Sequence, residues 1–260
     1  MNTDLHITFI QSALHWENRA ANLEMFAGKI NSISEATDLI LLPEMFTTGF
    51  SMQPEKFAET MDGEAVQWMA AMAAGKKAVI CGSLMMKDGE YYFNRLVWMR
   101  PDGTCSYYDK RHLFGLGEEN QHYTAGSKRI IVEWKGWKFL PLICYDLRFP
   151  VWARNTENYD VLLYLANWPE RRINAWKTLL EARAIENQCY VVGVNRVGDE
   201  DSGIHYTGES SVIDPKGEVL IREHRQEVVK TFALSGRQLA KIRESLPFLK
   251  DRDNFEIVQE

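Results

Sequence analysis

The first third of the chain alternates between short, largely apolar runs and longer segments with helical spacing. The runs Leu5–Ala13, Asp38–Leu42 and Ala78–Met86 predict three strands. The segments between them, Asn18–Ala36 and Gly63–Ala74, place apolar residues at the spacing of one helix face and predict two helices. This order of buried strands and helices is typical of a layered α/β fold.

The middle of the chain changes character, because turn signals interrupt β-rich sequence. Asp88-Gly89 and Asp102-Gly103 predict tight turns, so Leu84–Tyr108 is predicted to form antiparallel hairpins. The second half then alternates again, with strands and helices predicted at Trp137–Cys144, Asp160–Ala166, Asn174–Asn187, Tyr190–Asn195 and Ser235–Ser245. Hairpins within an alternating pattern indicate a mixed sheet, or two packed sheets with helices outside, in a single domain over residues 1–260.

Composition narrows the class of protein. The 260 residues are 45% hydrophobic and include eight Trp, ten Tyr and twelve Phe, which are scarce in disordered chains. The net charge is −6 and no block rich in Lys and Arg occurs, so no nucleic-acid partner is expected. No apolar run reaches the roughly 18–20 residues of a membrane helix, and residues 1–11 resemble a first strand more than a signal peptide. No membrane association is expected.

The cysteines and histidines exclude other kinds of site. Four cysteines without a CxxC pair predict reduced core thiols in a cytoplasmic protein, with Cys144 as the exception. The six histidines are scattered without the spacing of metal ligands. The sequence also lacks the phosphate-binding and dinucleotide-binding glycine motifs and the G-x-S-x-G nucleophile elbow. We therefore expect neither a metal ion nor a cofactor.

Three chemically useful residues follow predicted strands or hairpins directly. Cys144 ends an apolar run, Glu44 follows a buried strand and a proline, and Lys110 ends a hairpin. A side chain at the carboxyl end of a strand can project into a crevice while its neighbours stay buried. Taken singly, Cys144 is as well explained as a core thiol, and the other two as surface charges. The three segments together, in this order, are hard to explain by chance.

The segments around these residues resemble the motifs of the nitrilase superfamily of carbon–nitrogen hydrolases. The resemblance extends over nearly the whole chain and is carried by Leu41–Glu44, Tyr108–Leu113, Ile143–Pro150, Arg183–Asn187, and Gly208–Ser211 with Asp214–Glu218. It implies a four-layer α-β-β-α sandwich that usually forms a homodimer and needs no cofactor. It also implies that Cys144 is the nucleophile, Glu44 the general base and Lys110 the cation at the oxyanion.

The same resemblance implies a second glutamate. Superfamily members often carry a Glu seven residues before a glycine, and counting back from Gly126 gives Glu119, with Glu118 as the alternative. Glu119 would orient the substrate amide or Lys110. The sequence departs from the superfamily pattern near Pro141, and a proline in a strand implies a bulge or a strand edge because it removes a ladder hydrogen bond.

The short length of the chain and the residues of its motifs most resemble the omega-amidase branch of the superfamily. That resemblance implies a small-molecule amide substrate, namely the terminal amide of 2-oxoglutaramate or 2-oxosuccinamate. The backbone N–H of Tyr145, directly after the nucleophile, would help bind the oxyanion. Phe114 and Trp168 are candidate pocket walls, with a core position as the alternative for both.

Three arginines are candidates for binding the far carboxylate of such a substrate, because a guanidinium can hold a carboxylate through two hydrogen bonds. They are Arg148, Arg171 and Arg172. For Arg148 the alternative is a structural salt bridge beneath the nucleophile turn.

Two other interpretations stay open. Nitrile hydrolases, carbamoyl-amino-acid hydrolases and acyl transferases of the superfamily share these catalytic residues, so the residues do not separate the reactions. A non-catalytic α/β binding protein of the same shape is the second alternative. The complete set of Cys144, Glu44 and Lys110 argues against it.

Overall fold

The computed structural model describes residues 4–200 and 203–258, whose strands form one sheet of six strands and one of seven. The strands are β1 (Leu5–Gln11), β2 (Leu39–Leu41), β3 (Val79–Asp88), β4 (Tyr91–Met99), β5 (Cys105–Asp109), β6 (Val132–Trp134), β7 (Trp137–Ile143), β8 (Val161–Ala166), β9 (Tyr190–Asn195), β10 (Val197–Asp199), β11 (His205–Ile213), β12 (Val219–His224) and β13 (Val228–Leu234). The helices are α1 (Arg19–Asn31), α2 (Pro54–Phe57), α3 (Glu64–Lys76), α4 (Glu119–His122), α5 (Pro150–Ala153), α6 (Ile173–Asn187) and α7 (Gly236–Ser245). No helix among the described residues is long and apolar enough to cross a membrane.

Each sheet joins a parallel centre to antiparallel flanks. The first has the order β13-β1-β2-β3-β4-β5, in which β1, β2 and β3 are parallel. The second has the order β10-β11-β9-β8-β7-β6, in which β7, β8 and β9 are parallel and β12 pairs with β11. β3, β4 and β5 form the antiparallel hairpins predicted from the turn signals.

The two sheets pack face to face. Along their strands, apolar side chains alternate between the core that the sheets share and the outer face that helices cover. Leu5, Ile7 and Phe9 of β1 lie in a core shared with the second sheet, whereas Ile10 faces the helices. α1 and α3 cover the outer face of the first sheet, and α6 packs against β9 and β11 of the second. The predicted four-layer α-β-β-α sandwich is confirmed.

α1 is shorter than the helix predicted over Asn18–Ala36. Asn18 lies outside the helix and caps it, since its side chain accepts the N–H of Ala21. The helix ends at Asn31, where Ser32 donates its hydroxyl to a carbonyl of the last turn. Short polar side chains that bond to nearby backbone favour such ends over helix interiors.

Pro141 lies inside β7, at a point where this strand is an edge on one side. β7 pairs with β8 through the Pro141–Leu163 position. Its pairing with the short β6 ends at Phe139. A proline is tolerated there because β6 offers no hydrogen-bond partner beyond Phe139, so the missing N–H interrupts no pairing on that side. This is the strand edge that the sequence indicated.

Candidate active site

Glu44, Lys110 and Cys144 meet in one cavity, although they come from different sheets. Glu44 follows β2 and Lys110 follows β5 of the first sheet, whereas Cys144 follows β7 of the second. All three line a cavity of about 380 Å³. That volume is typical of sites for small molecules.

Lys110 lies between two buried carboxylates. Its Nζ donates to Glu44 Oε1 at 2.9 Å and to the two carboxylate oxygens of Glu119 at 3.0 and 2.9 Å. Burial by itself lowers the pKa of Lys110, but the negative charges of Glu119 and Glu44 outweigh it and raise that pKa above its ordinary value. The group therefore stays an ammonium, with a fixed positive charge beside Cys144.

The carboxylate that meets Lys110 from the second side belongs to Glu119 and not to Glu118. Glu119 begins α4, is fully buried, and also accepts the N–H of Phe114 at 2.6 Å. Glu118 is exposed and has a left-handed backbone, with φ at 60°. Burial raises the pKa of Glu119, while the charge of Lys110 opposes that rise.

Cys144 stands in a strained turn at the end of β7. It is partly buried and opens a 3₁₀ turn over Cys144–Arg148. Its φ of 42° lies in the left-handed region, which costs a residue with a Cβ roughly 1–2 kcal/mol. Burial raises the pKa of its thiol, and the negative charge of Glu44 raises it further. The resting group is therefore a neutral thiol that needs a base, and Glu44 lies beside it.

Asp146 joins the cysteine turn to the lysine segment. This buried carboxylate accepts the hydroxyl of Tyr108 at 2.8 Å and the backbone N–H groups of Ile143 and His112, each at 3.0 Å. Tyr108 and His112 flank Lys110 in sequence, and Ile143 directly precedes the cysteine. One carboxylate thus holds both segments in register.

Two buried asparagines also contact Glu44, and neither was predicted from the sequence. Asn94 donates its Nδ2 to Glu44 Oε1 at 2.8 Å and to Glu119 Oε1 at 3.1 Å. Asn167 donates its backbone N–H to Glu44 Oε2 at 2.8 Å and its Nδ2 to the Glu44 carbonyl at 2.7 Å. Asn167 directly follows the apolar strand β8, which is a usable sequence signal, whereas Asn94 lies inside β4 and has none.

The four residues predicted to bind substrate all line the cavity: Tyr145, Phe114, Trp168 and Arg148. The guanidinium of Arg148 lies 4.9 Å from the ring centre of Trp168, and that of Arg172 lies 4.8 Å from that of Phe114. Within the described ranges Arg148 takes part in no ion pair. The salt bridge considered for it is therefore not what the structure shows, and its charge faces the cavity.

The remaining cysteines and the acidic and histidine side chains form no second centre in the part of the chain that the structure describes. No group of three His, Cys, Asp or Glu side chains there could hold a metal ion. Cys81 and Cys189 are core thiols as expected, and burial raises the pKa of both. Cys105 is exposed on β5, so the prediction of a core position was wrong for it, because β5 is the edge strand of its sheet.

Comparison with known proteins identifies the family. A family model described as carbon-nitrogen hydrolase matches residues 6–243. The chain is 46% identical to Omega-amidase YafV of Escherichia coli, over 97% of this chain and 98% of that one. It is 33% identical to the 2-oxoglutaramate amidase of Bacillus subtilis, over 94% and 96% of the two chains.

Solved structures agree with these relatives. A CN-hydrolase superfamily protein from Xanthomonas campestris matches with a TM-score of 0.96 at 44% identity, over 98% of this chain and 100% of that one. A nitrilase-superfamily member from Saccharomyces cerevisiae shares the fold, with a TM-score of 0.84 at 23% identity, over 94% of each chain. The chain therefore belongs to the carbon–nitrogen hydrolase family. Within that family it is an amidase.

Proposed function

We propose that this amidase hydrolyses the terminal amide of small 2-oxo dicarboxylic acid monoamides, 2-oxoglutaramate and 2-oxosuccinamate, to the dicarboxylate and ammonia. The observation that carries the proposal is a set of three arginines, Arg148, Arg171 and Arg172, in the cavity of Cys144. Among the described residues none of the three has an ion-pair partner. Unpaired guanidinium groups beside a nucleophile favour a substrate with a carboxylate at its far end. The relatives named omega-amidase and 2-oxoglutaramate amidase support the same substrates.

The acidic groups of the cavity, in contrast, are already engaged. Glu200 accepts from Arg196 at 2.7 Å, and Glu17 accepts the hydroxyl of Ser51 at 2.6 Å. Burial lowers the pKa of Arg172, and the positive charge of Arg171 lowers it further, so an anion bound beside the two guanidinium groups would offset their mutual repulsion. The balance of unpaired charge favours an anionic substrate.

The first chemical stage is acylation of Cys144. Glu44 takes the thiol proton as the sulfur attacks the amide carbon, and later passes it to the departing nitrogen. The oxyanion is stabilised by the Lys110 ammonium and the backbone N–H of Tyr145. Ammonia leaves, and a thioester joins the substrate acyl group to the sulfur.

The second stage is hydrolysis of the thioester. Glu44 takes a proton from water as that water attacks the thioester carbon, and the sulfur leaves to regain its proton. Glu119 keeps Lys110 in place throughout. These steps use only side chains, one backbone N–H and water, so the reaction requires no cofactor.

The same cavity argues against glutamine as the preferred substrate. Glutamine carries an ammonium where 2-oxoglutaramate carries a keto group. Burying an unpaired ammonium costs several kcal/mol. The carboxylate of Glu200 is already paired with Arg196, and that of Glu17 already accepts hydrogen bonds from Ser51 and Gln53. The arginines would repel the ammonium as well.

We further expect a cytoplasmic homodimer, as the superfamily resemblance implies. Val151 of α5 and Ile185 of α6 supply apolar side chains that are more than half exposed in the single chain, at 53% and 55%. Sedimentation equilibrium at micromolar concentration would show whether two copies associate.

The experiment that tests the substrate assignment is ammonia release from a panel of compounds under identical conditions. The panel holds 2-oxoglutaramate, glutamine, asparagine, an aliphatic nitrile and a carbamoyl amino acid. We expect kcat/KM for 2-oxoglutaramate to exceed that for glutamine by about 100-fold or more, the size expected when a buried group is left unpaired. Equal values would remove the substrate assignment and leave the amidase chemistry in place. A preference for the nitrile or the carbamoyl compound would instead assign the enzyme to another branch of the superfamily.

A further inference from the structure

Glu44, Lys110 and Glu119 form a buried cluster, and Asn94 connects its two carboxylates. Its Nδ2 donates to Glu44 Oε1 at 2.8 Å and to Glu119 Oε1 at 3.1 Å. Its Oδ1 accepts the hydroxyl of Ser83 at 2.9 Å, and that hydroxyl oxygen in turn accepts the N–H of Met45 at 2.8 Å. The Ser83 proton therefore fixes the orientation of the amide, with both N–H bonds directed at carboxylates.

The charge balance of the cluster makes these donors important. Glu44 and Glu119 share the single ammonium of Lys110, so two carboxylates meet one cation in a site shielded from water. A buried charge is destabilising unless hydrogen bonds satisfy it. The other titratable groups that act on the cluster, Tyr123 and Cys144, are neutral at rest, since burial raises the pKa of each. The amide of Asn94 is thus a neutral donor that both carboxylates share.

We propose that Asn94 is a positioning residue that holds the Glu44 carboxylate aligned to take the proton of Cys144, by donating one N–H to Glu44 and the other to Glu119. It acts through Glu44, because it does not line the cavity and so does not touch the substrate. This inference rests on the proposed role of Glu44 as the base. A hydrogen bond donated to a carboxylate stabilises its charged form, so loss of both donors removes stabilisation from the charged base that the reaction needs.

Two variants of Asn94 test the proposal. Asn94→Ala removes both donors, and Asn94→Asp keeps the shape but replaces the donating NH₂ by a carboxylate oxygen. We expect the acid limb of the kcat/KM profile of Asn94→Ala to move upward by about one to two pH units, the shift that one hydrogen bond to a charged group can cause. Asn94→Asp should be nearly inactive at neutral pH, because a third carboxylate repels the other two.

The matched control is Asn155, a buried asparagine in a different polar network. Its Nδ2 donates to the carbonyls of Tyr159 and Asn187, each at 3.0 Å. Asn155→Ala should lower the free energy of unfolding without moving the acid limb. A role in folding alone would make the Asn94 and Asn155 variants behave alike.

A second readout separates this proposal from the proposed function. The rate at which iodoacetamide alkylates Cys144, followed on its peptide by mass spectrometry, needs no turnover and should show the same upward shift in Asn94→Ala. If the shift appears but no amide is hydrolysed, the proposed function fails and the role of Asn94 stands. An acid limb that stays in place in folded Asn94→Ala overturns the proposal. So does an Asn94→Ala chain that cannot fold, because the residue would then serve the fold and not the base.

Discussion

The ammonium nitrogen of Lys110 and the Oε1 atom of Glu44 lie 2.9 Å apart, with both side chains fully shielded from solvent. Glu119 holds the same nitrogen from another side at 2.9 Å. A charge held by two carboxylates at one point has little freedom to move. A guanidinium spreads its charge over a planar group and cannot place a compact positive charge at the same position.

We therefore expect Lys110→Arg to lose activity almost as completely as Lys110→Ala. The loss in kcat/KM should be about 100-fold or more, as when one donor to an oxyanion is removed. Lys138→Arg is the matched control, because Lys138 is half-exposed and pairs loosely with Glu133 at 3.6 Å. Steady-state kinetics of the three variants check this. More than a tenth of the wild-type kcat/KM in Lys110→Arg would contradict the assigned role.

Replacement of Cys144 should abolish turnover and preserve the fold. Without the sulfur no thioester forms, so Cys144→Ala and Cys144→Ser should lose many orders of magnitude in kcat. Cys105→Ser serves as the control, because Cys105 is exposed on the edge strand β5. Near-normal ammonia release by folded Cys144→Ala would show that the nucleophile lies elsewhere.

The left-handed backbone of Cys144 gives a separate prediction about stability. Glycine adopts a φ of 42° freely, whereas alanine carries the strain of its Cβ. Cys144→Gly should therefore unfold with a free energy about 1 kcal/mol higher than Cys144→Ala. Urea unfolding of both inactive variants measures the difference. A more stable alanine variant would mean that the turn relaxes once the sulfur is gone.

Arg148 and Arg172 should act on substrate binding more than on the chemical step. Loss of a charge-assisted contact of about 1.5–3 kcal/mol raises KM by roughly ten- to a hundred-fold. We expect this for 2-oxoglutaramate in Arg148→Gln and Arg172→Gln, with kcat nearly unchanged. A simple aliphatic amide without a carboxylate is the matched control, since its KM should stay constant. If neither variant changes KM for 2-oxoglutaramate, the far carboxylate binds elsewhere.

Asp146→Asn should destabilise the protein and impair catalysis together. Its carboxylate accepts from Tyr108, His112 and Ile143, and an amide NH₂ would face some of these donors with another donor. The free energy of unfolding should fall by about 3 kcal/mol. Asp102→Asn, on an exposed turn, should stay within about 0.5 kcal/mol of wild type. Denaturant unfolding distinguishes the two, and an unchanged midpoint for Asp146→Asn would refute its joining role.

The strands and their layering could be predicted from the sequence because burial leaves a local pattern. Leu5, Ile7 and Phe9 alternate with residues of the other face along β1 and enter the shared core as expected. Glu44, Lys110 and Cys144 were identified because each follows a strand, a place where side chains leave the core. The motif around each added the family, and that assignment is confirmed.

What the sequence by itself determined was therefore the fold and three chemically capable residues, because residue order records burial and the ends of strands. Only the tertiary structure decided that Glu119 rather than Glu118 meets Lys110, because the start of α4 turns one inward and leaves the other exposed. It also revealed Asn94 and Asn167, which reach Glu44 across 50 and 123 residues of chain. Asn167 follows β8 and meets Glu44 because the two sheets pack together, whereas Asn94 meets it because β4 lies two strands from β2 in the same sheet. In both cases a polar side chain within or after a strand carries no local record of the distant group it will meet.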